Sequence, residues 1–120
     1  MERFESVDPA SGGTAPPGRV LVAFLADWCP FCRRFRPAFE ALDGQIPATT
    51  ALADVTDESS PLWDRFGIEI VPTLVLFEQG SPVARIDGTA GVGILPAALG
   101  SFLRTQGLAG VGSPRSGSAR

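Results

Sequence analysis

The chain has two cysteines, Cys29 and Cys32, and both lie in the stretch Trp28-Cys29-Pro30-Phe31-Cys32. Two thiols at this spacing can close a small-ring disulfide and reopen as a dithiol. An apolar run, Val20 to Leu25, leads directly into them, and a cationic, helix-compatible run from Arg33 to Leu42 follows. A strand that ends in C-x-x-C and continues as a helix sets the first sulfur at a helix N-terminus. There the unpaired N–H groups and the partial positive charge favour the thiolate. Arg33 and Arg34 add cations nearby, and such settings bring a thiol pKa from about 8.5 into roughly the 3.5–7.5 range. Cys32 lies one turn further in, facing the protein, and is expected to keep an ordinary thiol. The asymmetry assigns roles in thiol–disulfide exchange: Cys29 attacks and forms a mixed disulfide, and Cys32 resolves it.

The alternative use of such a pair is half of a zinc or iron–sulfur site. Zinc takes four S or N ligands, and the chain has no histidine and no second cysteine pair. A metal would need ligands from another chain or an external thiol, so no metal and no cofactor beyond the Cys29–Cys32 disulfide is expected. An idle pair is the remaining alternative. The formal net charge of −3 provides no basic footprint for nucleic acid. All ten basic residues are arginine. No segment approaches the ~18–20 consecutive apolar residues that span a bilayer, and Met1 to Ser6 contains no apolar signal-peptide core. A cytoplasmic chain without membrane contact is therefore expected. In a reducing compartment a lone cysteine pair points to redox chemistry or metal binding rather than a structural staple.

The elements that must position the pair follow from pattern. At 120 residues, with 44% apolar and 19% charged residues, the chain makes one globular domain with its own core. Residues 1–18 are expected to be an N-terminal extension, mostly loop, in which Phe4 and Val7 form at most a brief strand or staple. Residues 19–106 form the domain, and 107–120, rich in Gly, Ser and Pro, form a disordered tail. Arg19 to Ala26 reads as a strand buried on both faces. Cys32 to Leu42 reads as a helix, with Phe31, Phe35, Phe39 and Leu42 in one apolar stripe, kinked at Pro37 and ended by Asp43-Gly44. Thr49 to Val55 is a second strand. Ser60-Pro61 starts a short helix through Phe66, whose Trp63 is assigned to the core. Thr73 to Phe77 is a third strand, turned by Glu78-Gln79-Gly80-Ser81 into an edge strand, Val83 to Asp87. A last amphipathic helix is expected from about Val92 to Thr105, with Pro96 allowing a start at Ile94 or Leu95. This order mixes crossover connections with one hairpin, which predicts an α/β fold: a central mixed four- to five-stranded sheet flanked by helices.

With these elements in place, the chain resembles the thioredoxin superfamily. Four features carry the likeness: Ala26-Asp27-Trp28-Cys29-Pro30-Phe31-Cys32-Arg33 with Pro37 downstream; Phe66-Gly67-Ile68 followed by Ile70-Val71-Pro72-Thr73; the turn Phe77-Glu78-Gln79-Gly80; and Gly88. They span Val20 to about Arg104. The resemblance implies a thioredoxin fold with Pro72 cis, an otherwise uncommon state for X–Pro bonds, placing Val71 beside the sulfurs. It also implies that Trp28, Pro30, Phe31, Val71, Pro72 and Gly88 form the substrate-binding collar around the catalytic pair Cys29 and Cys32, with the Val71 backbone free to pair with an extended substrate segment. The implied activity is dithiol/disulfide exchange with protein disulfide substrates, recharged by a reductase or a small-thiol reductant and carried out by a monomer. Glutathione-dependent, glutaredoxin-like activity is one alternative, although Asp87-Gly88 is followed by Thr89-Ala90 and not by a second glycine and an acid. A non-catalytic binding module on the same fold is another.

Two departures from the family pattern bear on the chemistry. Ala23 stands where the family has a buried carboxylate, and Leu52 stands in place of its neighbouring lysine. A chain lacking that carboxylate must deprotonate Cys32 by water or by substrate, and it is spared the desolvation cost of a buried charge. The dipeptide Pro30-Phe31 replaces the Gly-Pro of thioredoxins proper. Potentials tuned at this position range from about −270 to −120 mV, roughly 7 kcal/mol for two electrons.

Overall fold

In a computed structural model, which describes residues 1–8, 12–13 and 18–108, five strands form one mixed sheet flanked by helices. The elements in chain order are β1 (Glu2–Arg3), α1 (Phe4–Val7), β2 (Arg19–Leu25), α2 (Pro30–Glu40), β3 (Thr49–Asp54), α3 (Leu62–Arg65), β4 (Thr73–Glu78), β5 (Ser81–Asp87) and α4 (Pro96–Thr105). The sheet order is β1-β3-β2-β4-β5. The β2–β3 and β1–β3 pairs are parallel, while β2–β4 and β4–β5 are antiparallel.

The continuous apolar runs become the sheet's centre because both faces of that centre are covered. All of β2 from Val20 to Leu25 is buried, as is β4 from Thr73 to Phe77. The edge strand β5 alternates exposed and half-buried residues, as its sequence pattern requires. It also tolerates Pro82, whose missing N–H is harmless at an edge; a register shift at Leu76/Phe77 lies opposite. The hairpin turn places Gln79 and Gly80 both at positive φ, the geometry that matches the twist of the two strands.

The N-terminal residues differ from the expected loop-like extension. Glu2 and Arg3 pair with Ala51 and Leu52 of β3. Phe4 is buried among Phe24, Phe66 and Phe77, with ring centroids 5.7, 5.7 and 6.0 Å away. One buried aromatic outweighs a weak local pattern because about 150–250 Å² of apolar surface leaves water with it. Asp8, also buried, holds Arg65 through two contacts of 2.6 and 2.7 Å. The opposite end of the domain also extends further than expected, since Leu108 is fully buried. The expected disorder of the tail from residue 109 onward, and most of the loop at 11–17, lie outside the described residues.

Two helix starts move from their expected places, and proline is the reason in both. Helix α2 begins at Pro30, not Cys32, and α4 begins at Pro96, beyond the expected Val92, Ile94 or Leu95, with Leu95 as its N-cap. Proline's fixed φ suits the first helical position, where its absent N–H would have had no partner. Both prolines therefore mark N-termini. The residues before Pro96 instead make a tight turn, with Thr89 and Gly93 bridged.

Candidate functional site

Because Pro30 opens α2, Cys29 becomes its N-cap in extended geometry (φ −95, ψ 115). The Cys29 Sγ accepts the Cys32 backbone N–H at 3.4 Å. The same sulfur lies 3.6 Å from the Val71 carbonyl oxygen, to which a protonated thiol donates. One contact thus serves the thiolate and the other the thiol. The Cys29 side chain is 5% exposed, at the floor of a groove of about 360 Å³.

Cys32 sits deeper, at 2% exposure, and its Sγ accepts the Ala26 N–H at 3.5 Å. Burial pushes the Cys32 thiol up to about 12. The Ala26 N–H opposes this, and the hydrogen bond and charge of Cys29 add to it. Both cysteines are free thiols. Beneath them, Ala23 is fully buried and is paired with Leu52 on β3 and Leu74 on β4. The two family positions that would carry opposite charges are thus neighbours in the register, and both are hydrocarbon.

Trp28 is half exposed and is held in place from below. Its Nε1 donates to the Thr56 carbonyl at 2.9 Å, and the Asp27 N–H donates to Thr56 Oγ1 at 2.8 Å. Thr56 is itself fixed by Asp54, which accepts from its hydroxyl and its backbone N–H. The Thr56 hydroxyl, then its N–H, lower the Asp54 carboxyl pKa, so Asp54 stays a charged anchor. Trp63, assigned to the core by its place in a short helix, is only half buried. It stacks on Trp28 with centroids 6.4 Å apart and planes 7° from parallel. Helix α3 spans just four residues and has no fully buried side chain, so Trp63 packs against the core while remaining only half buried.

The Val71–Pro72 peptide bond is cis, and Pro72 is fully buried. The Val71 N–H has no protein acceptor among the described residues. Gly88 packs directly on Pro72: its N–H donates to the Pro72 carbonyl at 2.8 Å, and a Cβ there would come within 2.7 Å of that oxygen. Of the residues expected around Cys29, Trp28, Pro30, Phe31 and Val71 line the groove, whereas Pro72 and Gly88 buttress it from behind. The remaining wall is Trp63, Glu69, Ile70 and the turn Thr89 to Gly91, none of which local pattern singled out. Glu69 and Ile70 immediately precede Val71-Pro72, and that adjacency is the signal that could have found them. The turn at 89–91 follows Gly88 in the same way, and the β4–β5 pairing that leads into Gly88 carries it to the groove. Among the described residues no group of three or more His, Cys, Asp or Glu is placed to hold a metal ion. Nor is any described helix long and apolar enough to cross a membrane.

The Thioredoxin family model matches residues 14–99. The thioredoxin of Chlamydia muridarum is 41% identical over 71 residues, covering 59% of this chain and 70% of that protein. A thioredoxin-like protein of Synechocystis is 36% identical over 73 residues, or 60% of this chain and 70% of its own length. Among solved structures, a mutant thioredoxin from Halobacterium salinarum superposes with a TM-score of 0.60 at 37% identity, over 74% of either chain. The thioredoxin of Fasciola hepatica superposes with a TM-score of 0.68 over 88% of this chain and 98% of that one; at 24% identity this likeness shows the fold alone. Matched by the family model over most of its length, and carrying a paired C-x-x-C at the N-terminus of α2, the chain belongs to the thioredoxin family.

Proposed function

We propose that the chain is a protein thiol–disulfide oxidoreductase working through Cys29 and Cys32. The observation that carries this reading is the unequal setting of the two sulfurs. Cys29 lies at the groove floor, at a helix N-terminus where its thiolate accepts a backbone N–H. Cys32 is buried behind it and holds its proton up to about pH 12. In the forward direction the Cys29 thiolate attacks one sulfur of a substrate disulfide, forming a mixed disulfide and releasing the other sulfur as a thiolate, which takes up a proton. Cys32 then gives up its proton and attacks Cys29, releasing the second substrate thiol and closing the Cys29–Cys32 disulfide. Two electrons and two protons pass to the substrate. A reductase or small thiol reverses the change on the enzyme. The unpaired Val71 N–H supports pairing with an extended substrate backbone, and the apolar walls support contact with its side chains.

Trapping tests the assignment. Cys32→Ser should accumulate covalent complexes through Cys29 when mixed with a disulfide-bonded protein, released by dithiothreitol. Cys29→Ser should accumulate few. Equal trapping by the two variants would overturn the roles.

A further inference from the structure

Three of the five exposed large apolar side chains among the described residues, Trp28, Val92 and Leu95, cluster around the start of α2. Trp28 borders the groove over Cys29, while Val92 and Leu95 border a second groove of about 120 Å³ between α2 and the N-terminus of α4. Phe31 is the wall common to both. It is held from behind by Gly93, where any side-chain carbon would come within 2.9 Å of the Phe31 Cβ.

Each groove has one charged residue in its lining, and the two have opposite signs. Glu69 lies on the Cys29 groove. Arg34 lies on the neighbouring one, its guanidinium 5.7 Å from the centre of the Phe31 ring. Neither forms an ion pair among the described residues. A lone charge on an apolar wall stays hydrated while the groove is open. It gains a partner of opposite sign, or loses water without compensation, when a polypeptide covers it, so it discriminates between partners more than it holds any one of them.

Building on the oxidoreductase reading, we propose that this surface selects disulfide-bearing segments of a particular charge order. A basic residue flanks the reacting cysteine on the Glu69 side, and apolar residues with an acid lie on the Phe31–Arg34–Leu95 side. The chemistry is the exchange already described, with the substrate disulfide gaining two electrons from Cys29 and Cys32 and two protons, one from Cys32 and one from solvent.

Four peptides with one intramolecular disulfide test this, with the positions outside the two cysteines occupied by Lys and Glu, Glu and Lys, two Lys, or two Glu. Single-turnover reduction by the dithiol protein at low salt should favour one mixed-charge order over the two-Lys and two-Glu peptides. A factor of roughly two to five per matched charge is the range for partly exposed ion pairs. Glu69→Lys should move the preference to the two-Glu peptide, and Arg34→Glu to the two-Lys peptide. At about 1 M salt, where the screening length is near 3 Å, the preferences should collapse. A protein that reduces none of the four overturns the oxidoreductase reading itself. One that reduces all four at the same rate, or variants that keep the original preference, overturn the charge selection and leave that reading standing.

Discussion

Raising the pH from 9 to 12 should cost the folded chain stability through one thiol. Cys32 is 2% exposed, and burial is the largest cause of its shift from an ordinary 9.0 to about 12. The unfolded chain releases this proton near the ordinary value, while the folded chain retains it. Because the folded value is raised, the contribution is complete below pH 9 and is lost as pH climbs toward 12. The slope is about 1.4 kcal/mol per pH unit. Three units give an upper figure of about 4 kcal/mol, and water relaxing around a thiolate just beneath the surface brings the expected loss to about 2–4 kcal/mol. The sequence makes the measurement clean, since the chain has neither tyrosine nor lysine. Urea midpoints of the reduced protein and of Cys32→Ser, compared from pH 7.5 to 11.5 with a phosphine reductant present, isolate the effect because Cys29 and the N-terminus are common to both. By pH 11.5, short of full ionisation of the folded thiol, wild type should lose about 2–3 kcal/mol more than the variant. Parallel curves would refute the account of Cys32 as a buried, proton-retaining thiol. The same shift bears on mechanism: at pH 7 Cys32 is held almost entirely as the thiol. Once Cys29 is in a mixed disulfide its own charge no longer opposes that ionisation, but burial still does.

Other perturbations should give comparably direct readouts. Ala23→Asp places a carboxylate between Leu52 and Leu74, so thermal stability should fall by several kcal/mol while release of the mixed disulfide accelerates several-fold in single-turnover quench experiments; release at the wild-type rate would show that position 23 cannot serve Cys32. Gly88→Ala drives a methyl group within 2.7 Å of the Pro72 carbonyl and should cost about 1–3 kcal/mol in urea unfolding, with a lower kcat/KM toward protein disulfides. The Asp8–Arg65 pair should respond unequally to truncation. Arg65→Ala removes both Arg65 contacts from a carboxylate that is 2% exposed and should cost more than Asp8→Ala, which leaves an arginine that is 37% exposed and should cost about 1.5–3 kcal/mol in the same assay.

Much of the fold could be read before any coordinates, because the runs at 20–25 and 73–77 are apolar without alternation and only a sheet covered on both faces buries such runs. The redox pair was equally legible, since two cysteines at this spacing between a strand and a helix leave few chemistries open. Local pattern failed where burial is decided by distant partners. Phe4 lies in a polar, unpatterned stretch, and its place in the core comes from Phe24, Phe66 and Phe77, which are remote in sequence. Trp63, expected in the core, packs against it while only half buried, and also stacks on Trp28, a partner that no local pattern pointed to.

The sequence alone determined the chemistry: which atoms can exchange electrons, that a helix follows the strand and presents them, and that the sheet beneath carries no charge at Ala23 or Leu52. Those are consequences of residue type and of spacing within one turn or one strand. Tertiary structure decided how unequal the two thiols are and what surrounds them. The depth of Cys32, the backing of Pro72 by Gly88 and the groove shared by Glu69, Trp63 and the 89–91 turn all depend on strands and loops up to some sixty residues apart meeting at one edge of the sheet. Desolvation and contact are set by the sum of those neighbours, and no local pattern encodes that sum.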